Sequence, residues 1–128
     1  MATQQDVRLI ALALDGVTES DGDFRFFASG RQFIWLWQER VDPKKARVPN
    51  PGVIAVRVAS DIDKQVLLAL DRAVFFTEPH YDGYNAVLIR LPKIRVPMLK
   101  DVIAQGWTAV STKAARRPRP RRASARTK

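Results

Sequence analysis

The residues of this chain best suited to chemistry lie in one short stretch, Glu78-Pro79-His80-Tyr81-Asp82-Gly83-Tyr84-Asn85. His80 is the only histidine. An imidazole titrates near neutral pH, so beside the Asp82 carboxylate it could act as a general acid or base. That chemistry also needs a nucleophile, and no serine stands in a recognised nucleophile motif. Cysteine is absent, which excludes thiol nucleophiles, disulfides and thiolate metal sites. The spacing supplies no partners for a mononuclear metal site on His80. The stretch therefore reads as a structured turn whose His80, Tyr81 and Tyr84 can stack on and hydrogen-bond to a ligand or a nucleic acid. Glu19, Asp21 and Asp23 gather around Gly22 without the further ligands of a calcium loop, and read as a solvated linker. The glycines at 16, 22, 30, 52, 83 and 106 form neither a P-loop nor a dinucleotide fingerprint. No catalytic residue, metal or cofactor is expected, and the protein reads as non-enzymatic.

Charge is the stronger signal. The chain carries +9 at pH 7, unevenly distributed. Residues 1–112 hold 14 Lys and Arg against all 13 acidic residues, a net charge of +1. Residues 113–128 hold Lys113, Arg116, Arg117, Arg119, Arg121, Arg122, Arg126 and Lys128 with no acid. This tail has no apolar side chain larger than alanine apart from Pro118 and Pro120, so it cannot offset its own ordering entropy and is expected to be disordered. Its guanidinium groups suit phosphate oxygens, and binding would release counterions condensed on a nucleic acid. Arg121-Arg122-Ala123-Ser124 also fits a basic-directed kinase site, where phosphate would weaken that binding. Lys44, Lys45 and Arg47, in a proline-stiffened loop, could touch a DNA backbone as a wing. No apolar run approaches the ~20 residues of a membrane span, and the N-terminus has no export signal, so a cytoplasmic protein without membrane insertion is expected.

The elements that must position these groups follow from periodicity. Gln4 to Leu14 has Val7, Ile10, Ala11 and Leu14 on one helical face, Thr3 and Asp6 as a capping box, and Gly16 as a stop. Phe24–Ala28 and Gln32–Gln38 flank Ser29-Gly30-Arg31 as a hairpin, and Val53–Ala59 is a third strand. Pro43, Pro49 and Pro51 make Glu39–Gly52 a long loop. Ser60 opens a second helix with Ile62, Val66, Leu67 and Leu70 as its buried stripe. Val74–Thr77 and Ala86–Leu91 are two more strands. A last helix starts near Pro97 and buries Leu99, Val102, Ile103, Trp107 and Val110, with Gly106 as a weak point. The order α-β-β-β-α-β-β-α, without βαβ alternation, specifies an α+β domain over residues 1–112, with an antiparallel sheet and helices mainly on one face.

The second strand is apolar on both sides, with Phe33, Trp35 and Trp37 on one face and Ile34 and Leu36 on the other. Either the long loop or a helix end covers the tryptophan face, or Trp35 and Trp37 form an open dimer or base-stacking surface.

Over residues 7–110 the chain resembles the MmcQ/YjbR family of small bacterial proteins. The resemblance rests on Leu12-Ala13-Leu14-Asp15-Gly16-Val17-Thr18-Glu19, on Gly30-Arg31-Gln32-Phe33, on Phe75-Phe76-Thr77-Glu78-Pro79-His80-Tyr81-Asp82-Gly83-Tyr84 with Ala86-Val87-Leu88-Ile89-Arg90-Leu91 after it, and on Trp107. It implies an α+β fold related to frataxin-like or secretion-chaperone-like architectures, and DNA binding through a double-wing arrangement. It implies no catalytic residues and does not include the tail. The leading expectation is thus a nucleic-acid-binding protein, with DNA favoured over RNA, whose tail supplies affinity and whose 39–52 loop and 78–85 turn supply orientation. The competing expectation is a small-ligand or protein-interaction module, homodimeric in one form, using the sheet face or the His80 turn.

Overall fold

The computed structural model describes residues 2–20, 24–39, 44–81 and 83–116. Three helices, α1 (Gln4–Leu12), α2 (Asp61–Leu70) and α3 (Val96–Arg116), pack with a six-stranded sheet. Its strands are β1 (Thr18–Glu19), β2 (Phe26–Ala28), β3 (Arg31–Glu39), β4 (Val48–Arg57), β5 (Phe75–Phe76) and β6 (Ala86–Arg90). They lie in the order β1-β2-β3-β4-β6-β5, and every pairing is antiparallel. The α+β class and the antiparallel sheet are as the periodicity requires.

Local signals act as expected at three points. Thr3 caps α1, its hydroxyl accepting from Asp6 N while the Asp6 carboxylate accepts from Thr3 N, so two orphan donors of the first turn are satisfied reciprocally. The Ser60 hydroxyl accepts from Asp63 N at the start of α2. Ser29 and Gly30 both take positive φ between Ala28 and Arg31, which are paired, giving the two-residue turn that suits a twisted hairpin.

Four expectations are corrected. The loop over 39–52 is shorter than its prolines suggest, because β3 runs to Glu39 and β4 starts at Val48. Pro49 and Pro51 are tolerated because β6 pairs only with Val53–Arg57, so this part of β4 has β3 as its one neighbour. The register jumps from Leu36↔Ile54 to Trp37↔Asn50, leaving Pro51, Gly52 and Val53 bulged from the β3 ladder. Second, a short strand β1 occupies part of the polar stretch after α1. Third, Phe33 does not share a face with Trp35 and Trp37. The β2–β3 register shifts between Phe26↔Ile34 and Phe27↔Gln32, and Phe33 joins Ile34 in the helix-side core. Fourth, of the expected stripe of α2 only Leu67 is buried: Ile62, Val66 and Leu70 are 75%, 59% and 59% exposed, and Lys64 is buried beside Leu67 instead.

The main core lies between the sheet and the helices, with Phe26, Phe33, Ile34, Ile54, Val56, Val87 and Ile89 of the sheet against Val7 and Ala11 of α1 and Leu99, Val102, Ile103 and Val110 of α3. Gly106 is a packing requirement rather than a weak point. A Cβ there would come within 2.9 Å of the Arg57 carbonyl oxygen and of Val56 Cγ1, so glycine lets α3 approach β4. Trp107 anchors the other side of α3, its Nε1–H donating to the Asp15 carbonyl at 2.9 Å.

Candidate functional site

The opposite sheet face carries a second apolar cluster, formed by Val53, Ala55, Ala86, Leu88 and Tyr81, with Trp35, Trp37 and Phe76 packed against it. Among the described residues, the segment after β5, which makes a 3-10 turn over Pro79–Tyr81, covers it. Indole N–H groups are costly to bury unpaired, and both here find acceptors in that segment. Trp35 Nε1 donates to the Tyr81 hydroxyl at 3.0 Å and Trp37 Nε1 to Glu78 Oε2 at 2.8 Å. Edge-to-face contacts join Trp35 to Tyr84 and Trp37 to Phe76, with ring centroids 6.3 and 5.4 Å apart. The tryptophans are therefore half-buried members of a bonded lattice rather than a bare stacking platform.

Lys64 holds this cover in place from α2. Its side chain is 3% exposed, and Nζ donates to the carbonyl oxygens of Tyr81 and Tyr84 at 2.7 and 3.0 Å. The orientation of α2 follows: turning Lys64 and Leu67 inward satisfies the buried ammonium and carries Ile62, Val66 and Leu70 outward. Burial raises the Tyr81 phenol above its usual range, outweighing the Trp35 hydrogen bond, so the hydroxyl stays protonated.

Next to this lattice a cleft of about 770 Å³ opens between α3, the end of β4 and the 83–85 turn. Its charged lining is Arg31, Arg57 and Asp63, its polar lining Tyr84, Asn85, Gln105 and Thr108, and its apolar wall includes Val58, Ala104 and Val110. Arg57 is held rigidly, with Nε donating to the Gln32 carbonyl at 2.7 Å and an Nη to the Tyr84 hydroxyl at 2.9 Å. It also sits over the Tyr84 and Trp35 rings, at 5.2 and 5.9 Å from their centroids. Arg31 Nε is buried and has no hydrogen-bond partner. Asp63 is turned to the α2 cap, where it accepts from the Ser60 hydroxyl.

The residues singled out from sequence are scattered among these features. Tyr81 and Tyr84 meet Trp35 as described, and His80 falls in the 3-10 turn, but Asp82 lies outside the described residues. Lys44 and Lys45 are exposed at the β3–β4 connection. Arg47 turns inward, donating to the Gln38 carbonyl at 2.7 Å and approaching Glu78 Oε2 at 3.4 Å, so it supports the tryptophan lattice. Glu19 is not a solvated linker residue: Arg8 Nε and Nη2 both bind its carboxylate at 2.8 Å and hold it below the usual carboxylate range. Asp21 and Asp23 lie outside the described residues. Lys113 and Arg116 fall within α3, which runs further than expected, and the tail from Arg117 to Lys128, including Arg119, Arg121, Arg122 and Arg126, lies outside the described residues. Among the described residues no group of three acidic or histidine side chains could hold a metal ion, and no helix is long and apolar enough to cross a membrane. Sequence reasoning missed Arg31, Arg57 and Lys64. Arg57 had a signal, an arginine alternating with valines in a central strand; the other two depend on tertiary packing.

Fold and site together define a small α+β protein with one open antiparallel sheet, an aromatic lattice on one face and an arginine-lined cleft beside its last helix. No model of a known protein family matches the chain, and no solved structure does. It is 40% identical over 115 residues to Uncharacterized protein Rv2570 of Mycobacterium tuberculosis (strain ATCC 25618 / H37Rv) and to Uncharacterized protein Mb2600 of Mycobacterium bovis, covering 84% of this chain and 87% of each relative. The chain belongs to the family of these mycobacterial proteins.

Proposed function

We propose that the protein binds nucleic acid, DNA before RNA, without catalysing a reaction on it. The observation that carries this reading is the charge partition. Eight basic residues and no acid follow residue 112, whereas the preceding 112 residues are nearly neutral. A segment of this kind attracts phosphates independently of base sequence, with affinity that falls steeply as salt rises. The described part of the chain supports it by delivering the segment at the end of a 21-residue helix. The resemblance to MmcQ/YjbR proteins points the same way. The exposed Lys44 and Lys45 would add orienting contacts, and Arg47 turns inward to Gln38 and Glu78.

Fluorescence anisotropy with labelled duplex and single-stranded oligonucleotides across a salt series tests the reading. All eight charges engaged on duplex would give a log–log slope of at most about −7. Changing Arg117, Arg119, Arg121 and Arg122 to Gln in the full chain should make the slope shallower by roughly 3 to 4. Unchanged slopes would remove the tail from the interface, and absence of binding at low salt would refute nucleic acid as the partner.

A further inference from the structure

The arginine-lined cleft has no role in the reading above. An arginine Nε that is buried and unpaired costs stability, since its N–H has lost water without gaining an acceptor. Arg31 is in that position, and it shares the cleft wall with Arg57, whose Nε and one Nη are already fixed. No carboxylate among the described residues pairs with either guanidinium, because the one acid of the lining, Asp63, is engaged at the helix cap. Two guanidinium groups against one carboxylate, itself turned to the helix cap, leave the cleft lining with a net positive charge that suits an oxyanion. Around them the cleft has the size of a small-ligand site, larger than a lone phosphate ion needs. On its rim Tyr84 is 40% exposed and pinned by Arg57, which leaves a fixed ring for a planar group to stack on. Asn85, Gln105 and Thr108 offer amide and hydroxyl groups to a polar heterocycle or sugar.

We infer that this cleft is a binding site for a phosphorylated small molecule of nucleoside monophosphate size, with the phosphate held by Arg31 and Arg57 and the ring against Tyr84. Guanidinium groups match phosphate oxygens bidentately, and Arg31 and Arg57 bring two of them to one cleft wall. The site is built by the folded domain and does not depend on the basic tail.

The test uses the full chain, isotopically labelled, titrated with a purine and a pyrimidine nucleoside monophosphate, the unphosphorylated nucleosides, inorganic phosphate and a 5′-phosphorylated single-stranded oligonucleotide. NMR shifts should move at Arg31 Nε–H and at the Gln105 and Thr108 amides for the monophosphates, while the nucleosides leave them in place. Inorganic phosphate should bind more weakly at the same Arg31 signal. The oligonucleotide arm separates sources: shifts at the cleft equal to those of the free nucleotide would make a nucleic-acid end the ligand, and shifts confined to residues after 116 would leave the free nucleotide. Arg31→Met should weaken monophosphate binding about 10- to 100-fold, the loss of one or two charge-assisted hydrogen bonds, without lowering Tm, because the native Nε is unpaired. Ala109→Trp, which fills the cleft and keeps both arginines, should abolish the shifts at the cleft. The four-arginine tail variant separates this inference from nucleic-acid binding by the tail, since it should leave the cleft shifts unchanged. Equal monophosphate affinity in wild type and Arg31→Met, or nucleotide shifts confined to the tail, would overturn the assignment.

Discussion

Replacing Lys64 by methionine tests how the turn over the sheet is held. Methionine keeps the length and most of the volume of the lysine stem, so the change removes the ammonium with little change in packing. In the native chain that ammonium donates to two carbonyls, at 2.7 and 3.0 Å. Hydrogen bonds with a charged partner contribute about 1.5–3 kcal/mol each. Two effects reduce the net loss. Both carbonyls keep a backbone donor, Tyr84 N for Tyr81 O and Ala86 N for Tyr84 O, so neither acceptor is orphaned. Removing the ammonium also relieves the cost of burying a charge at 3% exposure. The balance is a destabilisation of about 2 kcal/mol, or a fall in Tm on the order of 8 °C for a domain of this size. Differential scanning calorimetry measures it. Tryptophan emission supplies the local readout: loosening the Tyr81 carbonyl frees the hydroxyl that Trp35 donates to, and the emission should shift to the red. A Lys64→Met protein with unchanged Tm and unchanged emission would show that the turn is held by its own hydrogen bonds and that Lys64 is only accommodated.

Two further perturbations probe the frame. Gly106→Ala adds a Cβ 2.9 Å from a backbone oxygen of the central strand, and the strain of 1–3 kcal/mol typical of overpacking should exceed the gain of about 1 kcal/mol in helix propensity. Urea denaturation should show a net loss of about 1 kcal/mol, with exposed Gln105→Ala near neutral as control; a stabilised Gly106→Ala protein would contradict the close approach of α3 to β4. The Arg8–Glu19 pair sets a pH dependence. Arg8 lowers the folded pKa of Glu19 from its ordinary 4.5, so the unfolded chain takes up the proton first as pH falls. The stability contributed by the pair is therefore complete above that ordinary value and lost as pH falls through the depressed folded one. The difference in stability between wild type and Glu19→Gln should close over that acidic window, and a difference independent of pH would refute the pairing.

The charge partition was legible in the chain without any structure, because charge counts do not depend on folding. So were the α+β class, the capping box of α1, the serine cap of α2 and the turn at Ser29-Gly30, since each is decided by residues within a few positions of one another. The arginine cleft was not. Arg31 and Arg57 come from adjacent strands and reach Gln105 and Thr108 only because Gly106 lets α3 lie close to β4. Periodicity also misplaced Phe33, and the proline rule misplaced Pro49, because register and edge pairing are set across strands and not along one. The clearest case is α2. Its apolar spacing specifies a buried stripe of Ile62, Val66, Leu67 and Leu70, yet the helix keeps only Leu67 of these inside, turns the other three outward and buries Lys64. Local hydrophobicity proposes a face; the two carbonyls of the 81–84 turn, brought there by the tertiary fold, supply the acceptors that make burying the lysine the better solution.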